Sequence, residues 1–235
     1  MRALSCAQDI RRSSNPGRPH RRRRAILYDG SYASDYAVHD GENHAAAMAE
    51  LREVLKHMIA TLGPRRGKLL DFGCGIGQFA EMAQSAGFDV AGIEIDAHGA
   101  MAAKVRTGAT VWEKDLDVDP LPIENYDAVT MLDLIEHVQD PVALLRRAHD
   151  RLSNGGKIIV FMPNHDSLIA KVARALESAT GGRAHRPVDH IFDCVHVTFF
   201  TVDSLALALQ CAGFAVEATH FVDRDGAGKP AGSPR

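Results

Sequence analysis

The chain has 235 residues, 46% hydrophobic and 24% charged, which is enough apolar material for one sizeable core and too little for two full domains. Its net charge of -3 conceals a division: residues 1 to 24 hold eight arginines against the single acid Asp9, a local +7, and everything from Ala25 onward carries -10. No apolar run approaches the roughly 20 residues that span a bilayer, and the N-terminus lacks a secretory apolar segment, so neither a membrane protein nor a secreted one is expected.

Four cysteines, Cys6, Cys74, Cys194 and Cys211, show no C-x-x-C spacing and no disulfide density, which reads as a reduced, cytoplasmic protein without structural zinc. The acidic body disfavours duplex nucleic acid, whose binding depends on neutralising phosphates. Residues 1 to 24 are rich in Arg, Ser and Pro without periodicity and are expected to be a disordered tail. Residues 223 to 235 read as a frayed, disordered C-terminus, which leaves 25 to 222 as the folded domain.

Within that domain the hydrophobic period alternates. Residues 43 to 62 place Met48, Leu51, Leu55, Met58, Ile59 and Leu62 on one helical face, ended by Gly63-Pro64. A strand over Lys68–Phe72 leads into Gly73-Cys74-Gly75-Ile76-Gly77 and a helix with Ile76, Phe79, Ala80, Ala83 and Ala86 turned inward, closed by Gly87. A strand over Asp89–Ile95, a helix over Ala97–Arg106, and strands over Thr110–Lys114 and Tyr126–Leu132 follow. Asp140-Pro141 starts a helix as N-cap and first-turn proline, its buried stripe runs to Leu152, and Asn154-Gly155-Gly156 ends it. Lys157–Met162 is uninterruptedly apolar after its lysine, as in a strand buried on both faces of a parallel sheet. After a looser stretch, Thr201–Ala212 is a helix and Phe214–Val222 a sixth strand. This alternation predicts an α/β fold: a doubly wound, mostly parallel Rossmann-like sheet with helices on both faces.

Ligands of such sheets bind at the carboxyl ends of the strands. The glycines after the first strand allow a tight turn and close backbone approach to a ligand, and the next helix offers free N–H groups. A dinucleotide loop wants G-x-G-x-x-G, but the last position here is Gln78, with glycine at 77 instead. Asp71 would repel a pyrophosphate and attract an ammonium or sulfonium. A cationic ligand is expected beside this loop.

Asp71-x-Gly73-x-Gly75-x-Gly77, then Glu94 at the end of the second strand, then Asn154-Gly155-Gly156, resembles the class I S-adenosylmethionine-dependent methyltransferases. The resemblance implies that S-adenosylmethionine is the cofactor and that the glycine loop wraps its methionine and ribose portions. It further implies that Glu94 accepts from the ribose hydroxyls, that Asp115 and Leu116 flank the adenine, and that Ile95 and Leu132 complete the cofactor site. Removing Glu94 is then expected to weaken cofactor binding about ten- to a hundredfold with the fold intact. That superfamily usually adds a seventh, antiparallel strand, and nothing after Val222 is apolar enough to supply one.

Asp133-Leu134-Ile135-Glu136-His137 is similar to an acidic-x-x-Glu-His group in ubiquinone-pathway O-methyltransferases that is associated with a divalent metal; Asp133, Glu136 and His137 are therefore weak metal candidates, and equally residues that shape the turn. His196-Val197-Thr198-Phe199-Phe200 resembles the substrate-covering region of the superfamily. Among His165, His185, His190, His196 and His137, the catalytic candidates are His137 and His196. Tyr28, Tyr32 and Tyr36 resemble a cap segment. The expected activity is methyl transfer to a small-molecule acceptor, on a hydroxyl oxygen. The alternatives are a catalytically degenerate S-adenosylmethionine-binding module, an NAD-dependent dehydrogenase, and RNA methylation with the arginine tail as a phosphate-binding arm.

Overall fold

The computed structural model describes residues 42–64, 66–164, 197–222 and 229–230. The arginine-rich tail, Tyr28, Tyr32, Tyr36 and the four histidines from His165 to His196 lie outside the described residues.

In chain order the elements are α1 (Glu42–Leu62), β1 (Lys68–Phe72), α2 (Gln78–Ser85), β2 (Asp89–Glu94), α3 (Ala97–Thr107), β3 (Val111–Glu113) and β4 (Tyr126–Leu132). A single 3-10 turn (Ile135–His137), α4 (Pro141–His149), β5 (Leu152–Phe161), α5 (Val202–Cys211), β6 (His220–Phe221) and β7 (Lys229–Pro230) complete the series. Strands β1 to β5 form one wholly parallel sheet in the order β3-β2-β1-β4-β5, so the chain reverses its direction of build at β1, between β2 and β4. Both β1 and β4 occupy their expected bounds because each is a mostly apolar run that must be covered on two faces.

Alternation along β1 sends its side chains into two different cores. Leu69 joins Val54 and Met58 of α1 and Phe79, Ala80 and Ala83 of α2 on one face. Leu70 and Phe72 join Leu144, Leu145 and Ala148 of α4 and Ala208 of α5 on the other. Helices therefore cover both faces, as the alternating pattern requires. Asp71 shares the Leu69 side at the carboxyl end of the strand, where the helices no longer close over the sheet.

Three expectations are corrected here. Helix α4 stops at His149, and Leu152 is not in its stripe but begins β5. The Asn154-Gly155-Gly156 turn is not the helix terminator: it bulges out of the β4–β5 ladder, where pairing jumps from Tyr126↔Leu152 to Ala128↔Lys157. The Tyr126 N–H bonding the Arg151 carbonyl at 2.8 Å starts the pairing early. Second, β5 is an edge strand of the described sheet and only half-buried along its apolar run, rather than covered on both faces. Third, Phe214–Val222 adds no strand to the main sheet. Residues 215 to 221 are exposed, and only His220 and Phe221 pair, antiparallel, with Pro230 and Lys229. The expected frayed terminus thus contributes a short pair of its own. No antiparallel strand joins the main sheet among the described residues.

Cys211 is disulfide-bonded, against the expectation of reduced thiols, whereas Cys74 is free and buried. Among the described residues no helix is long and apolar enough to cross a membrane.

Candidate functional site

A cavity opens at the carboxyl ends of β1 to β4, and the residues that line it come from those four strand ends, from α1 and from the start of α2. The first wall is the loop after β1. Gly73 and Gly75 line the cavity, and at Gly75, where φ is +53°, an added Cβ would meet nothing within 4 Å. The backbone is bare towards open space, a cradle that a side chain would fill. Gly77 differs from the expectation: it does not line the cavity. Its φ of +80° turns the chain into α2, and a Cβ there would come within 2.9 Å of the Ala103 backbone on α3. Its role is close packing of two segments.

The second wall is acidic. Asp71 is 2% exposed and receives the Thr130 hydroxyl at 2.6 Å. Burial raises its pKa to about 7, partly opposed by that hydrogen bond, and the negative charge of Glu94 adds to the rise. Glu94 ends β2 and is clasped by three backbone N–H groups. Gly75 donates to Oε2 at 2.8 Å, and Ile95 and Asp96 donate to Oε1 at 2.8 and 2.9 Å. The carboxylate thereby ties the glycine loop to the end of β2. A carboxylate has about four acceptor positions, so the three N–H groups leave about one unused. Burial raises the Glu94 pKa, and those N–H bonds oppose the rise.

Beyond β3, Asp115 and Leu116 line the cavity, Leu116 being buried. The Asp117 N–H bonds Asp115 Oδ1 at 2.9 Å, which folds this turn locally. The segment after it is fastened from below: Arg147 of α4 donates to the Asp119 carbonyl, and Arg151 to the Pro122 carbonyl at 2.9 Å. Ile95 and Leu132 also line the cavity. Of the residues implied for the cofactor, Gly77 alone stands apart from it.

The third wall follows β4. Asp133 adopts φ +48°, the left-handed region, which costs a side-chain-bearing residue of this kind about 1–2 kcal/mol. Its N–H holds the Phe161 carbonyl at 2.9 Å, and burial with the nearby charge of Glu50 raises its pKa to about 6. The 3-10 turn then directs His137 to the cavity and Glu136 into the interior, where Glu136 is fully buried with a pKa raised to about 8 by burial and by Asp133. The Glu136 carbonyl accepts from the N–H groups of Val197 and Thr198 at 2.8 and 3.0 Å, which brings the segment after His196 against this turn. Among the described residues no group of three His, Cys, Asp or Glu side chains is placed to hold a metal ion, so Asp133, Glu136 and His137 do not converge as ligands. His196 itself lies outside the described residues.

Sequence reasoning missed Asp96, Leu51 and Phe79, which also line the cavity. Asp96 was legible as the N-cap of α3, since its side chain accepts from the Gly99 N–H at 2.7 Å. Leu51 and Phe79 carry only the periodic signal of core residues, and it is tertiary packing that brings α1 and α2 to the cavity rim.

The match to a family model for a methyltransferase domain covers residues 43–219, three-quarters of the chain. Among curated relatives, the ubiquinone biosynthesis O-methyltransferase of Xanthomonas axonopodis pv. citri (strain 306) is 31% identical over 112 residues, 45% of this chain and 47% of that protein. That of Psychrobacter cryohalolentis is 29% identical over 115 residues, 46% of this chain and 45% of that protein. The matches thus span about half the length of these relatives. In fold, the chain is similar to a magnesium protoporphyrin IX methyltransferase from Synechocystis PCC 6803 with bound SAH, at TM-score 0.63 and 18% identity over 86% of this chain and 92% of that one. A SAM-dependent methyltransferase from Thermotoga maritima gives TM-score 0.56 and 23% identity over 83% of this chain and 80% of that one. Together with the parallel sheet and the glycine loop at its switch point, the family match makes this chain a member of the methyltransferase-domain family, within the class I S-adenosylmethionine-dependent methyltransferases.

Proposed function

We propose that the protein transfers a methyl group from S-adenosylmethionine to a hydroxyl oxygen of a small molecule. The observation that carries the reading is the pairing of a bare glycine cradle at Gly75 with the buried acids Asp71 and Glu94 in one cavity. That donor set fits a cationic, polyhydroxylated cofactor. Asp71 favours positive charge, Glu94 keeps an acceptor position for a hydroxyl, and Gly75 leaves room for close approach. An NAD-dependent dehydrogenase is disfavoured by the same acids, which would face a pyrophosphate, and by the family.

When bound, the cofactor supplies a methyl group activated on a sulfonium. The chain's own contribution is to bind, orient and exclude water, and alignment alone supplies effective molarities of order 10⁵ M or more. Leu51, Phe79, Leu132 and Leu134 give the cavity its apolar surface. His137 lines the same cavity and is our candidate for accepting the proton of the acceptor hydroxyl, with His196 as the second candidate. The O-methyltransferase relatives support oxygen as the methylated atom.

The test is turnover of S-adenosylmethionine to its demethylated product in the presence of phenolic and aliphatic hydroxyl acceptors. Product formation that depends on the acceptor supports the reading. Binding of cofactor without turnover over a broad panel would point instead to a non-catalytic binding module.

A further inference from the structure

We propose that Thr130 is a positioning residue for the cofactor: its hydroxyl holds the Asp71 carboxylate ionised and oriented, and so sets the pH above which the protein binds S-adenosylmethionine tightly. The inference rests on the reading of the cavity as an S-adenosylmethionine site. Thr130 does not itself line that cavity and acts through Asp71, which does.

The register of the sheet brings the two side chains together. One row of paired residues runs Val111, Gly92, Asp71, Thr130, Ile159 across β3, β2, β1, β4 and β5, and the side chains of such a row share a face of the sheet. On the β2 flank Gly92 brings no side chain, and an added Cβ there would meet the Cys74 sulfur at 2.7 Å. On the β4 flank stands Thr130, the one polar side chain in residues 128 to 132. Asp71 and Thr130 are 2% and 0% exposed, and the hydroxyl donates to Oδ1 at 2.6 Å. The carboxylate accepts no other hydrogen bond among the described residues, which leaves Oδ2 for a ligand.

A valine of the same shape would fill this position in the strand without a polar atom to satisfy. What the hydroxyl adds concerns the charge on Asp71. A hydrogen bond to an ionised group is about twice as strong as one between neutral groups, so the Thr130 donor favours release of the Asp71 proton. Burial, the largest influence, opposes that release, and the negative charge of Glu94 on β2 opposes it more weakly. The other neighbours supply no compensating positive charge. Cys74 is kept a neutral thiol by burial and by the charges of Asp71 and Glu94, and α1 and α2 bring Leu51 and Phe79 to the cavity. Asp133 and His137 lie on its third wall. The balance leaves Asp71 titrating at about 7, so that losing the hydroxyl is felt at neutral pH. A sulfonium or ammonium gains full Coulomb attraction from Asp71 only when the acid is ionised.

The proposal is tested by calorimetric titration of S-adenosylmethionine into the full chain and into Thr130→Val, from pH 6 to pH 9. The Asp71 titration is expected to move up by about one pH unit or more, the effect of one hydrogen bond to a charged group. The variant should therefore bind about tenfold more weakly than the unsubstituted chain at pH 6 and within about threefold of it at pH 9. The ligand's own amino group titrates in both experiments and cancels in the ratio. Thr130→Ser, which restores the hydroxyl, is expected to stay within about threefold of the unsubstituted chain at every pH. Thr130→Ala serves the same comparison if the valine variant melts early. Equal affinities throughout, a defect of the same size at every pH, or a defect that serine does not relieve would overturn the proposal. Failure of the unsubstituted chain to bind S-adenosylmethionine at any pH overturns the methyltransferase reading and this one with it. Binding whose pH dependence is unmoved by Thr130→Val contradicts the role of Thr130 alone.

Discussion

Replacing Glu94 by alanine is expected to damage the protein in two separable ways. Its carboxylate accepts three backbone hydrogen bonds, from Gly75, Ile95 and Asp96, at 2.8 to 2.9 Å, and it is 6% exposed. Hydrogen bonds to a charged group contribute about 1.5–3 kcal/mol each, but removing a buried charge returns part of that sum. A net loss of about 2–4 kcal/mol results, or roughly 5–15 °C in melting temperature for a chain of this size. The expectation from sequence, that only cofactor binding would suffer, is therefore corrected, because the same side chain closes the glycine loop. Affinity for S-adenosylmethionine should fall a further ten- to a hundredfold, about one lost charge-assisted bond. Denaturant melts of the unliganded protein read the first effect, and calorimetric titration at a temperature where the variant is folded reads the second. A stability change below about 0.5 kcal/mol would refute the clasp, and an unchanged affinity in the folded variant would remove Glu94 from the cofactor site.

Other outcomes follow from the same geometry. Gly75→Ala, whose methyl enters open cavity space, should lose about 1 kcal/mol of stability from its positive φ and bind cofactor much more weakly. Gly77→Ala, which meets the α3 backbone at 2.9 Å, should instead lose about 2–4 kcal/mol of stability; comparing melts and titrations of the two variants checks the division of labour. Because the Asp71 pKa is raised to about 7 and a cation favours its ionised form, cofactor affinity should rise about tenfold from pH 6 to pH 8, measured by calorimetry. Stability of the unliganded protein should move the other way. Asp71, Asp133 and Glu136 hold protons in the fold at pH values where the unfolded chain has released them. Their contribution to stability is therefore complete below about pH 4 and is lost as pH rises to about 8, which melts across that range would show. His137→Gln should lower turnover by about 10²- to 10⁴-fold with cofactor affinity nearly unchanged, read from steady-state kinetics and titration.

The sheet was legible where burial dictated composition. β1 and β4 are mostly apolar runs, buried at all but one or two positions, and their bounds follow from that, as does the place of Asp71 at the sheet's switch point. The failures share a cause: local signals overridden by tertiary pairing. Asn154-Gly155-Gly156 has the chemistry of a helix stop, yet it is accommodated as a bulge because Arg151 and Leu152 already pair with Tyr126. Phe214–Val222 alternates as a strand does, yet most of it is exposed, with Glu217 drawn to Lys157. At the site, glycine spacing pointed to the loop, and the family resemblance to Glu94 and Asp115, which line the same cavity. The spacing did not separate Gly77, which packs against α3, from Gly75, which faces the cavity. The place of Leu51 at the cavity rim depends on which elements meet across the sheet, and a linear pattern does not encode that.

Parallel calorimetric titrations of the full chain with S-adenosylmethionine and with NAD⁺ test the choice of cofactor most directly. S-adenosylmethionine is expected to bind saturably and one-to-one, more weakly in Asp71→Asn, and NAD⁺ is expected not to bind. Binding of NAD⁺, or affinity for S-adenosylmethionine that is absent or indifferent to Asp71→Asn, would contradict it.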